Sequence, residues 1–451
     1  MNSSPIYHAI KAHKAKKRAA FQMPGHKGWA QALSPLAGVL EFDLTEIPDT
    51  GSLFDGEGPT SRAEELATAL FESQGSFMSA GGCTLCINAM LRLALPQGGK
   101  LVCGRVIHRC VINTMALLGI EPIWVLPDDS AGQFFAGRIR PRDVERALEE
   151  NPDAKAVFLT SPDYFGTMSD IRGISKITDK YKLPLLVDNA HGAHLYFLEG
   201  NPSPLAQGAT MSADSAHKTL PVLTGGAWLN ISDSSYLPKV REAMALFAST
   251  SPSYPIMLSL DLCRLWLADR GKEDLKKTAD KVMKLKEEIE KLGLIMPQGK
   301  VDPMRLAFTC ENLALKGREV GDLLRQEGVE PEYAGPEGII LIPTPFNSDD
   351  DFKTLYRALL KVSKLKLKKD LEKSEDNKSQ EGLPRVVMTP SRAIRAQDER
   401  IATQGALGRV AATAVCPCPP AIPIVIPGEL IGAREVKALI DQGYNDICVV
   451  K

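Results

Sequence analysis

From about residue 60 to 260, short apolar runs alternate with segments whose apolar residues recur at three- and four-residue spacing. The runs are "KLVCG", "PIWVLP", "AKAVFLTSP", "LPLLVDNAHG" and "GGAWLNI", each bounded by Gly, Pro or Asp. Continuous apolar runs of this length predict strands buried on both faces. "RPRDVERALEEN" is one helical segment between them, and "SRAEELATALFES" is another. In the second, Ser61 is expected as the N-cap, with Glu64 completing a capping box. The alternation predicts an α/β fold, a mostly parallel sheet with helices on both faces. Ligands gather at the carboxyl ends of such strands.

After residue 260 the texture changes. "DRGKEDLKKTADKVMKLKEEIEKLG" predicts a long charged amphipathic helix leading out of one domain, and residues 301–362 mix strand and helix signals of a small α+β unit. The expected organisation is an N-terminal arm (1–30), a large domain (31–265) and a C-terminal α+β region (266–451), with a charged linker at about 364–382. "CPCPPAIPIVIPGELI" is too proline-rich to be helical.

Composition removes several function classes. The chain has 451 residues and a net charge of -1, so no global field points to nucleic acid or a membrane surface. No run approaches 18 uninterrupted apolar residues, and the basic N-terminus lacks the apolar core of a signal peptide. Nine scattered cysteines fit reduced thiols in a cytoplasm. Cys83 and Cys86, with Cys416 and Cys418, could suggest a thiolate metal site, but one intervening residue in the second pair makes small buried residues the better reading. No metal is expected.

All seven histidines lie in the first 217 residues, and three stand at expected strand ends: His108, His191 and His217. A single histidine there is ordinarily structural. Three on one rim, beside Asp188 and Lys218, call for a common explanation. Asp188 ends "LPLLVD", where a carboxylate needs a cation or a turn to cap. "SAGGCTLCINAML" passes through two glycines into an apolar helix, offering backbone N–H groups and the Thr84 hydroxyl as a phosphate cradle, or a bare glycine turn. A cradle, a carboxylate, an imidazole and a lysine beside Ser215 are what pyridoxal 5'-phosphate needs. Its aldehyde condenses with an amine, and its ring nitrogen must keep a proton.

The chain resembles the fold-type-I pyridoxal-phosphate decarboxylases of ornithine, lysine and arginine. "FQMPGHKG" (21–28), "FDLTEIPDTGSL" (42–53), "LVDNAHGAHL" (186–195), "SADSAHKTLPVLTGGAWL" (212–229), "STSPSYPIMLSLD" (249–261) and "ALGRVAATAVCPCPPAIPIVIPGELI" (406–431) carry the resemblance, in the family's order. It implies a transferase-like large domain with a mostly parallel sheet, a small α+β C-terminal domain, and the compact form without an N-terminal regulatory domain. Lys218 would bind the cofactor covalently, with His217 beside it. Ser215 and the Cys83–Thr84 turn would hold the phosphate. Asp188 would pair with the ring nitrogen, His108 would stack on the ring and His191 would lie close by. Thr250 or Ser251 would reach the neighbouring subunit's phosphate, which implies a homodimer with shared sites. Asn189 stands where the family usually has Glu. Gly81, Gly82 and Cys83 replace Asn-Gly followed by Ser or Thr, and Pro417 to Ala421 replace Pro-Tyr-Pro-Pro-Gly.

The implied reaction is α-decarboxylation of arginine, lysine or ornithine to a polyamine-pathway amine and carbon dioxide, with no nucleic-acid or membrane partner. Glu46, Asp49, Asp163 and Glu429 are candidates for binding the substrate's distal group. Two alternatives stay open. An aminotransferase, racemase or lyase could share the scaffold, with Arg385, Arg392, Arg395 or Arg409 on the substrate carboxylate. The chain could also bind the cofactor without turnover.

Overall fold

The computed structural model describes residues 3–131, 135–309, 315–335, 338–365, 382–417 and 421–451. Most of the expected charged linker, from 366 to 381, lies outside them, as do Cys418, Pro419 and Pro420. The chain forms two compact units, Met1–Pro96 with Ile171–Lys276 and Gln97–Asp170 with Lys277–Lys451.

Seven strands are β1 (Gly75–Ser79), β2 (Gly99–Gly104), β3 (Ile120–Val125), β4 (Ala156–Thr160), β5 (Leu185–Asp188), β6 (Met211–Asp214) and β7 (Ala227–Ile231). In the first unit the order is β1-β7-β6-β5. β5 and β6 are parallel, whereas β7 runs antiparallel to both β6 and β1. The connection from β6 to β7 holds only the four-residue helix Ala216–Thr219. The chain therefore turns back beside β6 instead of crossing a face of the sheet.

The helix expected at Ser61 starts earlier, and this corrects its cap. It spans Gly58–Phe71 with Glu57 as N-cap and Pro59 in the first turn, where a fixed φ and a missing N–H cost nothing. Glu64 is buried instead of capping: it accepts from Met78 N at 2.9 Å and meets Arg241 Nη2 at 2.6 Å. Phe71, at the end of this helix, anchors an aromatic core. Tyr196, Phe197 and Trp228 stand around it at ring distances of 4.9, 5.5 and 5.7 Å.

Residues Pro5–Ala15 form a helix capped by Ser4 and burying Ile6 and Ile10. Asp261, on the helix Tyr254–Trp266, holds its start. Asp261 Oδ2 accepts from Ser4 Oγ at 2.6 Å and from Ile6 N at 3.1 Å, and Oδ1 meets Arg264 at 2.8 Å.

In the second unit β3 and β4 both run parallel to β2. The expected α+β layer follows: β8 (Leu306–Phe308), β9 (Tyr333–Gly335) and β10 (Gly338–Leu341) form an antiparallel sheet in the order β8-β10-β9. The helices Gly317–Gln326 and Asp349–Ser363 accompany it, and a common core joins Leu306, Phe308, Val320, Leu324 and Leu359. Val282, Leu285 and Ile289, from the long charged helix Lys272–Lys291, complete that core. β11 (Asp398–Ala402) and β12 (Asp446–Val450) pair antiparallel beside the helix Ala433–Asp441. The proline-rich stretch holds no helix among its described residues.

Candidate active site

Asp214 ends β6, and the next residues turn sharply into the short helix that carries His217 and Lys218. Ser215 is its N-cap, and Lys218 N donates to Ser215 O at 3.2 Å. His217 is fixed by Gly226 O, which lies 3.2 Å from its backbone N and 3.1 Å from its Nδ1. A carbonyl oxygen only accepts, so Nδ1 carries the ring proton and Nε2 remains the acceptor of the neutral ring. Ser215 Oγ lies 3.3 Å from the same Nδ1. A Cβ at Gly226 would meet Val222 Cγ1 at 2.3 Å, so a larger residue there would have to displace that side chain.

The Lys218 side chain is half-buried and its Nζ lies 3.0 Å from His191 Nε2. His191 belongs to the turn that follows β5, and Asp188 organises that turn by accepting from Ala190 N at 3.0 Å. The turn-capping reading of Asp188 thus holds for one of its oxygens. Cys83 Sγ lies 3.9 Å from Asp188 Oδ1. Burial, reinforced by the Asp188 charge, pushes the Cys83 thiol well above its ordinary range.

Cys83 and Thr84 sit in the first turn of the helix Gly82–Ala94, where unpaired backbone N–H groups favour an anion. Gly82 N donates to Gly225 O at 2.7 Å, which brings this helix start against the loop that follows Lys218. Thr84 is exposed on that turn.

Lys218, His191, Asp188, Cys83, Thr84, Ser215 and His217 are therefore gathered at one end of the first unit's strands. Thr250 and Ser251 are exposed in the loop before the helix Tyr254–Trp266 and make no hydrogen bond to the group among the described residues; Ser251 N donates to Ser249 Oγ at 3.1 Å. His108 belongs to the second unit. It is exposed and caps the helix Arg109–Leu118, its Nδ1 accepting from Cys110 N at 3.2 Å.

One buried group escaped the sequence reading. Asp214 has no solvent exposure and receives the side-chain amides of Asn189 and Asn230, the latter at 2.9 Å. Burial raises its carboxyl to about 6 despite these donors. Its signal was available: like Asp188, it is a carboxylate at the end of a short buried strand.

The candidate distal acids separate. Glu429 is engaged through both oxygens by Arg105, at 2.7 and 2.9 Å. Asp49 is held by Lys16 and His13, which pull its carboxyl down to about 2. Glu46 Oε1 is buried without a hydrogen-bond partner among the described residues. Of the candidate carboxylate-binding arginines, Arg409 is committed to Glu399 at 2.7 Å and to Val450 O at 2.9 Å.

A family model described as "Orn/Lys/Arg decarboxylase, major domain" matches residues 4–302, and one described as "Orn/Lys/Arg decarboxylase, C-terminal domain" matches residues 373–441. The chain belongs to the Orn/Lys/Arg decarboxylase family. It is a pyridoxal-phosphate-dependent amino-acid decarboxylase with the fold-type-I α/β layout. The arginine decarboxylase of Bacillus subtilis (strain 168) is 29% identical over 453 residues, covering 96% of this chain and 92% of that one. The constitutive lysine decarboxylase of Escherichia coli (strain K12) is 21% identical, covering 97% and 76%. Among solved structures, the Francisella novicida lysine decarboxylase superposes with a TM-score of 0.84 at 18% identity, covering 99% of this decarboxylase and 81% of that chain. No described helix is long and apolar enough to cross a membrane.

Proposed function

We propose that this decarboxylase acts on arginine, with lysine and ornithine as the competing substrates, and releases carbon dioxide and the corresponding polyamine-pathway amine. The family match and the arginine decarboxylase relatives, 28 to 29% identical over almost the whole chain, support the substrate class. The observation that carries the site is the 3.0 Å approach of Lys218 Nζ to His191 Nε2 on the rim that also holds Asp188.

The donor set fits pyridoxal phosphate. Lys218 would hold it covalently, Asp188 would keep the proton on its ring nitrogen, and Ser215 with the Gly82–Thr84 helix start would hold its phosphate. Thr250 or Ser251 would serve a neighbouring subunit in a cytoplasmic homodimer. Bound there, the cofactor supplies an electron sink for the bond between Cα and the carboxylate.

This chain's own groups do the rest. A neutral His191 Nε2 accepts from the Lys218 ammonium and stabilises its direction, and it can take the proton that Lys218 must lose to act as a nucleophile. His217, with Nδ1 committed to Gly226 O, keeps Nε2 for holding or passing a proton. Lys218 or His217 returns a proton to the substrate's Cα.

Incubation with a panel of amino acids, measuring carbon dioxide against keto acid, tests the proposal. Carbon dioxide from arginine without keto acid is expected; keto acid alone would overturn it. Lys218→Ala should abolish the imine absorbance of the holoenzyme, and a persisting band would show that another lysine holds the cofactor.

A further inference from the structure

β5 and β6 run parallel with Asp188 beside Ala213. Their pairing continues one residue further, because Asn189 N donates to Ala213 O at 2.9 Å. At that point the Asn189 side-chain amide donates to Asp214 Oδ1. The other carboxylate oxygen takes Asn230 Nδ2 at 2.9 Å and the Tyr196 hydroxyl at 3.4 Å. Ser76 Oγ, 2.5 Å from Asn230 Oδ1, fixes that second amide in turn. Asn189, Asp214 and Asn230 have no solvent exposure.

This network lies directly behind the candidate site. Asn189 stands between Asp188 and His191, and Asp214 precedes Ser215, His217 and Lys218. The two segments meet again at the rim, where Lys218 Nζ is 3.0 Å from His191 Nε2. The Asn189–Asp214 bond is thus the inner tie between the strand ends that carry the carboxylate and the lysine. The donor in this place is an amide and not a carboxyl. A carboxyl facing Asp214 donates only while protonated and becomes a repelling neighbour once it ionises. An amide has no such proton to lose.

We propose that Asn189 is a positioning residue: its amide, clamped on Asp214, sets the placement of Lys218 against Asp188 and holds it throughout the pH range in which Asp214 is ionised. The inference rests on the reading of Lys218 and Asp188 as cofactor residues. The groups facing Asp214 leave it as the titrating partner. Asn230 comes from β7, Ser212 from β6 and Tyr196 from the 3-10 turn Leu195–Phe197. Cys83 and Cys86 come from the helix Gly82–Ala94, and burial keeps both thiols and the Tyr196 phenol protonated far above neutrality. Asp188 and Lys218 are the charges that act on Cys83, together with Asp214.

The test uses the holoenzyme of N189D, N189A and the exchanged pair N189D/D214N, from about pH 6 to about pH 9. Two quantities are followed: the pH titration of the imine absorbance, and kcat against KM. In N189D, kcat is expected to fall roughly ten- to a hundredfold on the alkaline side with KM little changed. Its absorbance titration gains a step that the wild type lacks. N189D/D214N again pairs one amide with one carboxylate and should lose both effects. N189A should lower kcat at every pH without the added step. N189D that tracks the wild type overturns the proposal. So does N189D lacking the imine band at every pH and unrestored by D214N. Lys218→Ala separates the layers: a persisting band there defeats the cofactor reading, whereas loss of the band with N189D tracking the wild type defeats only the tie.

Discussion

Arg105 and Glu429 form a two-pronged ion pair, 2.7 Å from Nη1 and 2.9 Å from Nη2, with only 2% and 0% of their side chains exposed. Trp124 stacks near the guanidinium, 5.0 Å from its carbon to the ring centroid, and Ile426 N donates to Glu429 Oε2 at 2.9 Å. Both oxygens of Glu429 are engaged, so this glutamate braces the C-terminal segment.

Glu429→Gln should therefore act on stability. Removing one charge leaves Arg105 buried and unbalanced, a loss of about 3 to 5 kcal/mol. Urea unfolding would show it as a lowered midpoint, with KM for the basic amino acid unchanged in the folded fraction. Wild-type stability with a raised KM would instead make Glu429 a substrate ligand.

Asp163 gives the second unit a pH-dependent cost. It is buried, accepts from Thr167 N at 2.7 Å, and has one oxygen without a hydrogen-bond partner among the described residues. Burial raises its carboxyl to about 7, with Thr167 N and the Arg305 charge offsetting only part. The unfolded chain gives up this proton near 3.8, the folded chain near 7. Between those values the folded state binds more protons, so stability falls as pH rises, and it levels off above 7. Asp163→Asn keeps the acceptor for Thr167 and removes the titration. It should match the wild type near pH 4 and exceed it by up to about 4 kcal/mol above neutrality. Identical unfolding midpoints for the two proteins at about pH 8 would refute this.

The cysteines should react in a fixed order. Cys83, Cys86 and Cys103 are buried, and burial pushes all three thiols up, so they lack the thiolate that alkylation needs. Cys416 and Cys448 are half-buried. Cys448 donates to Asp398 Oδ2 at 2.7 Å, and burial together with that carboxylate raises its thiol too. Iodoacetamide followed by peptide mass mapping should find Cys416 modified first, Cys448 later and Cys83 only after unfolding. Early modification of Cys83 would mean that the first turn of its helix opens in the native state.

The sequence disclosed what depends on local pattern. The apolar runs of β2, β3, β4, β5 and β7 are strands, and the turn, lysine and carboxylate that follow β5 and β6 do converge. β6 was hidden because half of "MSAD" is polar, and Ser212 and Asp214 are tolerated only inside a network built by Asn189, Asn230 and Tyr196. Strand direction was equally silent: "AWLNI" carries no mark of running antiparallel to β6, since that follows from the shortness of the connection. The capping box at Ser61 failed because Pro59 started the helix sooner and Arg241, far along the chain, claimed Glu64.

The grip of Asp261 on Ser4, across 257 positions of chain, sets an order of events during synthesis. The helix Pro5–Ala15 leaves the ribosome well before the carboxylate that secures its start, which is made only after most of the first unit. At about 5 to 20 residues per second, the start of that helix waits on the order of ten seconds or more for Asp261. During that interval a chaperone has its opening, and so does another nascent chain.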